Sequence, residues 1–423
     1  MSKAMSSKVS DKKRQMIAGV DIGTTKVVFL IGAIGEENLE IVGVGKAPTT
    51  GMRQGVVVNI EATTEAIKKA KEEAELMAGV SMSAVWLSVG GAHIQSFDSN
   101  GMVAITATEV SQEDIKRVIE AAQAVAIPND RQVLHVLPNE YKIDGQTGIS
   151  DPIGMAGVRL ETSVHIVTGS RSAIQNGIKC VENTGLKVSG LVLEQLASSL
   201  AVLSKDEKDL GVTVVDIGGG TCDMITFYQG SVMHTAVIPV GGNNFTHDVA
   251  MGLRTTQVDA ENLKRKFGCA LPDMVAEDET VDVEGVGGRQ KRTMSRRDLC
   301  QVLEARAEET LQLIRTELQE KDLFARLGSG IVLTGGSSQL LGLVEMGDFV
   351  FDIPVRRGVP TKVGGLTDVV KCASFATAIG LLQYGFEQEK LITKKRMKTH
   401  EEGFGEKISL WFQKTKELFS DAF

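Results

Sequence analysis

A chain of 423 residues, 42% hydrophobic and 24% charged, is too long for one core and is expected to divide into two or more soluble, globular domains. Its net charge of −8 excludes wholesale nucleic-acid binding, which needs clustered cations against phosphate. The five cysteines lie far apart without a C-x-x-C, the six histidines offer no H-x-x-x-H pair, and no run of 18 apolar residues occurs; these argue against a disulfide framework, a side-chain metal cage and a transmembrane helix.

Residues 1–15 are polar, have no apolar signal-peptide core, and are expected to be disordered. The stretch 17–30, IAGVDIGTTKVVFL, reads as a strand that reaches Asp21, bends at Gly23 and returns as a second strand, with Thr24, Thr25 and Lys26 in the bend. A third strand, 39–46, another at 55–60 and a helix ending at Gly79 complete a unit. From 83 to 169 the character changes to short strands around a helix that Ser111 and Asp114 cap. This segment is expected to be a small α+β insertion, either a plain lobe or a contact module. Helical and strand patterns then lead to Glu194 and Gln195 at a strand-to-helix junction, where one of the two could orient a water or simply cap the helix.

The opening theme repeats at 211–226, GVTVVDIGGGTCDMIT, with Asp216, then Gly218, Gly219 and Gly220, then Thr221. Glycines let a backbone turn its N–H groups onto phosphate oxygens, and an aspartate at a strand end can hold a hydrated divalent cation. Two such bends predict two jaws on one polyphosphate. A Walker loop or dinucleotide fingerprint would run from glycines into a helix, whereas these run into strands. Gly241 and Gly242 then enter a helix whose N-terminus could face a phosphate. Glu261 and Lys264, three apart on the next helix, are read either as a surface ion pair or as the lining of a nucleoside pocket. After a segment of strands and a loop (271–292) and a long helix, Gly335, Gly336 and Ser337 form a third glycine turn, expected to run into a helix and to let a ribose or flat ring approach the backbone. A closing helix at 366–386 carries a stripe of small residues suited to tight packing.

The chain ends with a polar stretch, 387–405, expected to be a linker, and a segment, 406–423, EKISLWFQKTKELFSDAF. At helical spacing that segment places Ile408, Trp411, Phe412, Leu418, Phe419 and Phe423 on one stripe flanked by Lys407, Lys414 and Lys416. An apolar stripe with cationic flanks suits an anionic bilayer surface; the alternative is a helix that docks on protein.

Together the two D-I-G hairpins, SSLAVLS, IPVGGNNFTHDVA, LTGG, ELMAGVSMSAVWLSVGGAHI and ATAIGLL resemble the actin/Hsp70/hexokinase ATPase superfamily and, within it, the bacterial cell-division FtsA family, over residues 16–423. The resemblance implies an α/β, actin-like ATPase fold of two duplicated domains around a nucleotide cleft. Its implied parts are 16–82 with 170–210 and the closing helix, the insertion 83–169, a third subdomain of 211–240 with 323–365, and a fourth at 241–322. It implies that ATP and Mg2+ bind, with Asp21, Gly23, Thr24, Thr25 and Lys26 as the first phosphate loop and Asp216, Gly218, Gly219, Gly220 and Thr221 as the second. Gly335, Gly336 and Ser337 would form the adenosine motif, Glu261 and Lys264 would border the base and ribose, and Asp21 and Asp216 would hold Mg2+ through water. Turnover would be slow or regulatory. The implied partners are a second copy in a filament, the C-terminal peptide of the tubulin-like FtsZ at 241–322, later division proteins at the insertion, and an anionic membrane. The implied location is the cytoplasmic face of the inner membrane at the division septum. A pilus-assembly adaptor and a small-molecule kinase of the same superfold are the alternatives.

Overall fold

The computed structural model describes residues 14–35, 38–286 and 290–401; the expected disordered N-terminus up to residue 13 and the amphipathic segment 406–423 lie outside them. Two sheets share one plan. In the first, Met16–Ile22, Lys26–Ile34 and Leu39–Pro48 form an antiparallel meander, and Ala84–Val89 and Lys187–Leu193 add in parallel on the other side of Met16–Ile22. In the second, Val212–Ile217, Cys222–Tyr228 and Ser231–Ile238 form the same meander, with Ile331–Thr334 and Val355–Arg357 added in parallel in the same places. The short strand Gly364–Gly365 extends the first sheet beyond Leu39–Pro48.

The hairpin strands are apolar almost without interruption because both sheet faces are covered; Val212–Ile217 is buried at every position. Helix Ile60–Ala78 lies on one face of the first sheet, stopped by Gly79 in the left-handed region (φ 66°). Gly45 permits that packing, since a Cβ there would stand 1.7 Å from Ala70 O. Between the two sheets run helix Glu194–Val202 and the closing helix, and one apolar core joins Val28 and Leu30 of the first sheet, Val212 and Val214 of the second, and Ala197, Ala201, Ile379 and Leu382 of the two helices. The stripe of small residues serves this contact, for a Cβ on Gly380 would stand 1.8 Å from Ala197 O. Gly380→Ala therefore tests packing against propensity. Helix propensity alone predicts a gain of about 1 kcal/mol, whereas the closed helix crossing predicts a loss of about 1–3 kcal/mol. Chemical denaturation is expected to give the loss.

The inserted unit is a four-stranded sheet in the order Gln95–Ala104, Arg159–Ser170, Arg131–Ile143, Gln146–Ile149, covered on one face by helix Gln112–Gln123. Ser111 and Asp114 form the expected reciprocal cap of that helix.

Three local expectations change. Ala84–Val89, placed by sequence in the insertion, is an inner strand of the first sheet, and the insertion's own sheet starts at Gln95. The turn at Gly335 and Gly336 leads into a single 3-10 turn, Ser337–Gln339, and the α-helix starts only at Leu343. The closing segment is broken, with a short helix Thr367–Val370 and a 3-10 turn Ala373–Phe375 before helix Ala376–Glu401. That helix runs through most of the expected linker, because 387–401 lacks a core stripe but also lacks glycine and proline, and its residues are good helix formers. Among the described residues no helix is long and apolar enough to cross a membrane.

Candidate functional site

The two hairpin turns are closed by the same bond. Gly23 N–H donates to Lys26 O at 3.0 Å, and Gly218 N–H donates to Thr221 O at 2.9 Å. They face each other so closely that glycine is required by the opposite turn as well as by the bend. A Cβ at Gly219 would stand 2.4 Å from Thr25 Cγ2, and one at Gly220 would stand 2.6 Å from Thr24 Oγ1. The third glycine turn completes the enclosure: Gly335 has φ +86°, and a Cβ there would stand 2.2 Å from Asp216 Oδ1. Asp21, Gly23, Thr24, Thr25, Lys26, Glu194, Asp216, the three glycines 218–220, Thr221, Gly335 and Gly336 thereby line one cleft that is partly open to solvent.

Other expected residues stand behind this lining. Gly242 and Asn243 N–H groups donate to the carbonyls of Gly218 and Gly219 at 2.9 and 2.8 Å, so the helix N-terminus at Gly241 and Gly242 braces the second turn rather than facing the cleft. Ser337 Oγ donates to Gly218 O at 2.9 Å. Lys264 Nζ donates to Gly242 O at 2.9 Å and pairs with Glu261 at 2.6 Å, joining the second brace to the helix Gln257–Phe267. Of the doublet, Glu194 lines the cleft, whereas Gln195 is fully buried away from it, with neither end of its amide hydrogen-bonded.

Sequence reasoning missed several members. Asp223 lines the cleft, two residues after Thr221 and on the same side of the strand, and accepts from Thr221 Oγ1 at 2.7 Å; strand alternation could have found it. Ser198, one helical turn after Glu194, donates to Asp216 Oδ2 at 2.5 Å, a spacing equally open to inspection. Ser88, which donates to Asp21 Oδ1 at 2.9 Å, and Thr377, which donates to Asp216 Oδ2 at 3.0 Å, arrive only through tertiary structure.

The cleft gathers the carboxyls of Asp21, Glu194, Asp216 and Asp223. Asp216 and Asp223 are directly opposite on the hairpin, a like-charge pairing that costs stability. Burial raises Asp21 to about 6 and Asp223 to about 7, and holds Glu194 well above the usual carboxylate range. Lys26 donates to Ser374 O and lies 5.0 Å from the Phe375 ring; burial lowers it to about 8. One oxygen of Asp223, Oδ1, is buried, with the Gly91 backbone N–H near enough to favour its charged form. Such a set fits a phosphate-bound divalent cation, which would return the carboxyls to their charged form. Among the described residues no three acidic or other ligating side chains come close enough to hold a bare metal ion.

The raised carboxyls have a measurable sign. The folded cleft keeps protons on Asp21 and Asp223 at pH values where unfolded carboxyls, near 3.8, have released them, so they reduce stability as pH rises from about 4 to about 7. Asp223→Asn is expected to flatten the fall of melting temperature between pH 5 and pH 7.5, read by scanning fluorimetry without nucleotide; an unchanged slope would refute the assignment.

Two family descriptions match the chain: "Cell division protein FtsA" over residues 213–380 and "SHS2 domain inserted in FTSA" over residues 91–168. The chain is 48% identical to cell division protein FtsA of Pseudomonas aeruginosa over 376 residues, covering 89% of this chain and 90% of that protein. It is 41% identical to that of Escherichia coli K12, covering 95% and 98%, and 36% identical to that of Bacillus subtilis, covering 90% and 86%. Among solved structures it resembles a chain of the PilM–PilN type IV pilus biogenesis complex, with TM-score 0.64 and 16% identity over 88% of this chain and 99% of that one. It also resembles MreB5 of Spiroplasma citri bound to ADP, with TM-score 0.52 and 15% identity over 92% and 99%. At these identities the structural likenesses speak for the fold alone.

Proposed function

Since the chain belongs to the FtsA family of cell-division proteins, with an actin-like fold that implies nucleotide binding, we propose that it binds ATP with Mg2+, polymerises, and tethers FtsZ filaments to the cytoplasmic face of the cell membrane at the division site. The observation that carries the nucleotide part is the pair of matching glycine turns, 21–26 and 216–221, set face to face with acidic residues at their base.

In this reading the backbone N–H groups of Thr24, Gly219 and Gly220 receive the phosphates, and Lys26 adds a positive charge to the first turn. Bound Mg2+ supplies charge neutralisation at the phosphates, and Asp21, Asp216 and Asp223 hold its water shell. Glu194, as carboxylate, orients the water that attacks the terminal phosphate. Gly335 and Gly336 admit the nucleoside, with Ser337, Glu261 and Lys264 steadying its surroundings. Turnover is slow, and the cleft acts chiefly as a switch for assembly. The 241–322 region receives the FtsZ C-terminal peptide, the inserted sheet recruits later division proteins, and the terminal amphipathic segment meets anionic lipid.

The test is calorimetric titration of the full chain with ATP, with and without Mg2+, alongside a panel of sugars and acids offered as phosphate acceptors. Saturable Mg-dependent ATP binding without acceptor phosphorylation is the expected result. Rapid phosphorylation of any acceptor would favour a kinase, and no binding at all would remove the nucleotide from the proposal.

A further inference from the structure

The inserted sheet reaches the cleft at two points far apart in the chain. One is its entry. A Cβ at Gly90 would stand 2.3 Å from the Glu194 carboxyl, so that glycine forms the seat of Glu194. Gly91 follows with φ +102°, its Cα packed on Gly55, which itself lines the cleft, and Ala92 N–H donates to Gln54 O at 3.3 Å.

The other point is His135, on the inserted strand Arg131–Ile143. Its Nε2 accepts the backbone N–H of Leu193 at 3.0 Å, with both residues buried. Leu193 is the N-cap of helix Glu194–Val202, and its own apolar side chain makes no capping bond. Its N–H would be a buried, unpaired donor without the imidazole, a cost that is relieved by shifting the turn. Burial lowers His135 to about 4, so the ring is neutral at physiological pH and keeps the lone pair that the bond requires. The ring of Tyr384 on the closing helix also packs on it, edge-on at 6.4 Å.

The same inserted sheet also holds the second half of the molecule. His165 Nε2 lies 2.9 Å from Thr235 Oγ1, Ser96 Oγ donates to Thr235 O at 2.9 Å, and Ser231 Oγ donates to Asn139 O at 2.5 Å. A unit fastened to both halves and to the turn that carries Glu194 cannot move relative to either without moving that turn.

We infer that His135 is a positioning residue for Glu194, through which the seating of the inserted sheet sets the rate of chemistry in the cleft. The inference rests on the nucleotide reading above, and it makes the insertion a regulator of turnover as well as a contact surface. The coupling is reciprocal: a partner that shifts the inserted sheet alters the turn, and a ligand that shifts the turn alters the sheet.

The experiment compares the full chain with His135→Ala and His135→Gln, the latter retaining an amide oxygen able to accept the Leu193 N–H. Three quantities are read: Mg-ATP affinity, phosphate release in a single turnover, and hydrogen–deuterium exchange over 193–198 with and without Mg-ATP. In His135→Ala, affinity is expected to stay within about twofold while turnover falls about tenfold or more, since small misplacements of a catalytic group cost that much. Exchange over 193–198 is expected to rise and to lose its response to Mg-ATP, and His135→Gln is expected to recover most of both. Unchanged exchange at 193–198, or affinity and turnover falling together without recovery in His135→Gln, would overturn the positioning role. A wild-type chain that binds no Mg-ATP would instead overturn the nucleotide reading, an outcome visible before any variant is made.

Discussion

Asp216→Ala is expected to weaken Mg-ATP binding by about a hundredfold or more, the scale on which losing one member of a desolvated charge network is felt, while leaving the melting temperature within a few degrees. The separation of the two effects follows from where the carboxyl sits. It is buried, which raises its pKa, and it is kept in place by hydroxyl donors from Ser198 and Thr377. A group whose charged form is disfavoured in the folded state contributes little to stability at neutral pH, and its removal also relieves the cross-strand pairing with Asp223. Asp216→Asn refines the test, since an amide oxygen can still accept from Ser198 and Thr377 but carries no charge. Calorimetry should find the Asn variant nearly as impaired as the Ala variant. Affinity retained in Asp216→Asn would show that the charge has no part in holding the cation, and affinity retained in both would leave the hairpin as scaffold only.

A chain ending at Gly405 is expected to lose co-sedimentation with anionic vesicles while binding Mg-ATP as the full chain does. The removed segment holds Ile408, Trp411, Phe412, Leu418, Phe419 and Phe423, with Lys407, Lys414 and Lys416 beside them, and the span from Lys390 to Lys416 carries eight Lys and Arg against three Glu on a protein whose net charge is −8. Each large apolar side chain contributes at most about 1.5–3 kcal/mol when fully buried and less at an interface. On the proposed reading one tail would bind reversibly, and an assembled filament would bind firmly because many tails act together. Trp411→Glu removes one such contribution and adds a charge repelled by the anionic surface; a loss of vesicle affinity of about thirtyfold or more corresponds to about 2 kcal/mol. Equal pelleting of the full and shortened chains would rule out the tail as the anchor, and salt-insensitive pelleting would rule out the lysines as part of it.

Much of the site was legible because its chemistry is local. One strand that reaches an aspartate and turns on glycine could be an ordinary hairpin, but two copies pointed to a shared site, and both turns line one cleft. What escaped was whatever depends on distance through space. Nothing in the sequence separates Glu194 from Gln195, since both begin the same helix; the helix's rotation on the sheet puts one carboxyl against Gly90 and buries the other side chain. Gly241 and Gly242 read as a phosphate-facing helix start, yet the neighbouring turn has carbonyls of its own to satisfy, and the helix amides were spent on them. Ala84–Val89 reads as part of the insertion because a short strand does not reveal which sheet it will join.

By itself the sequence determined the two-fold repeat of the strand hairpin, the α/β class, the place of the two aspartate-glycine turns and the amphipathic pattern of its last eighteen residues, because each is a matter of periodicity or glycine placement along the chain. Only the tertiary structure decided that the two turns close on each other, that four carboxyls share one desolvated space, and that an inserted histidine holds the turn bearing Glu194. The reason is physical: burial and hydrogen bonding between residues 58 or more positions apart are set by how the sheets and helices pack, and no local pattern encodes them.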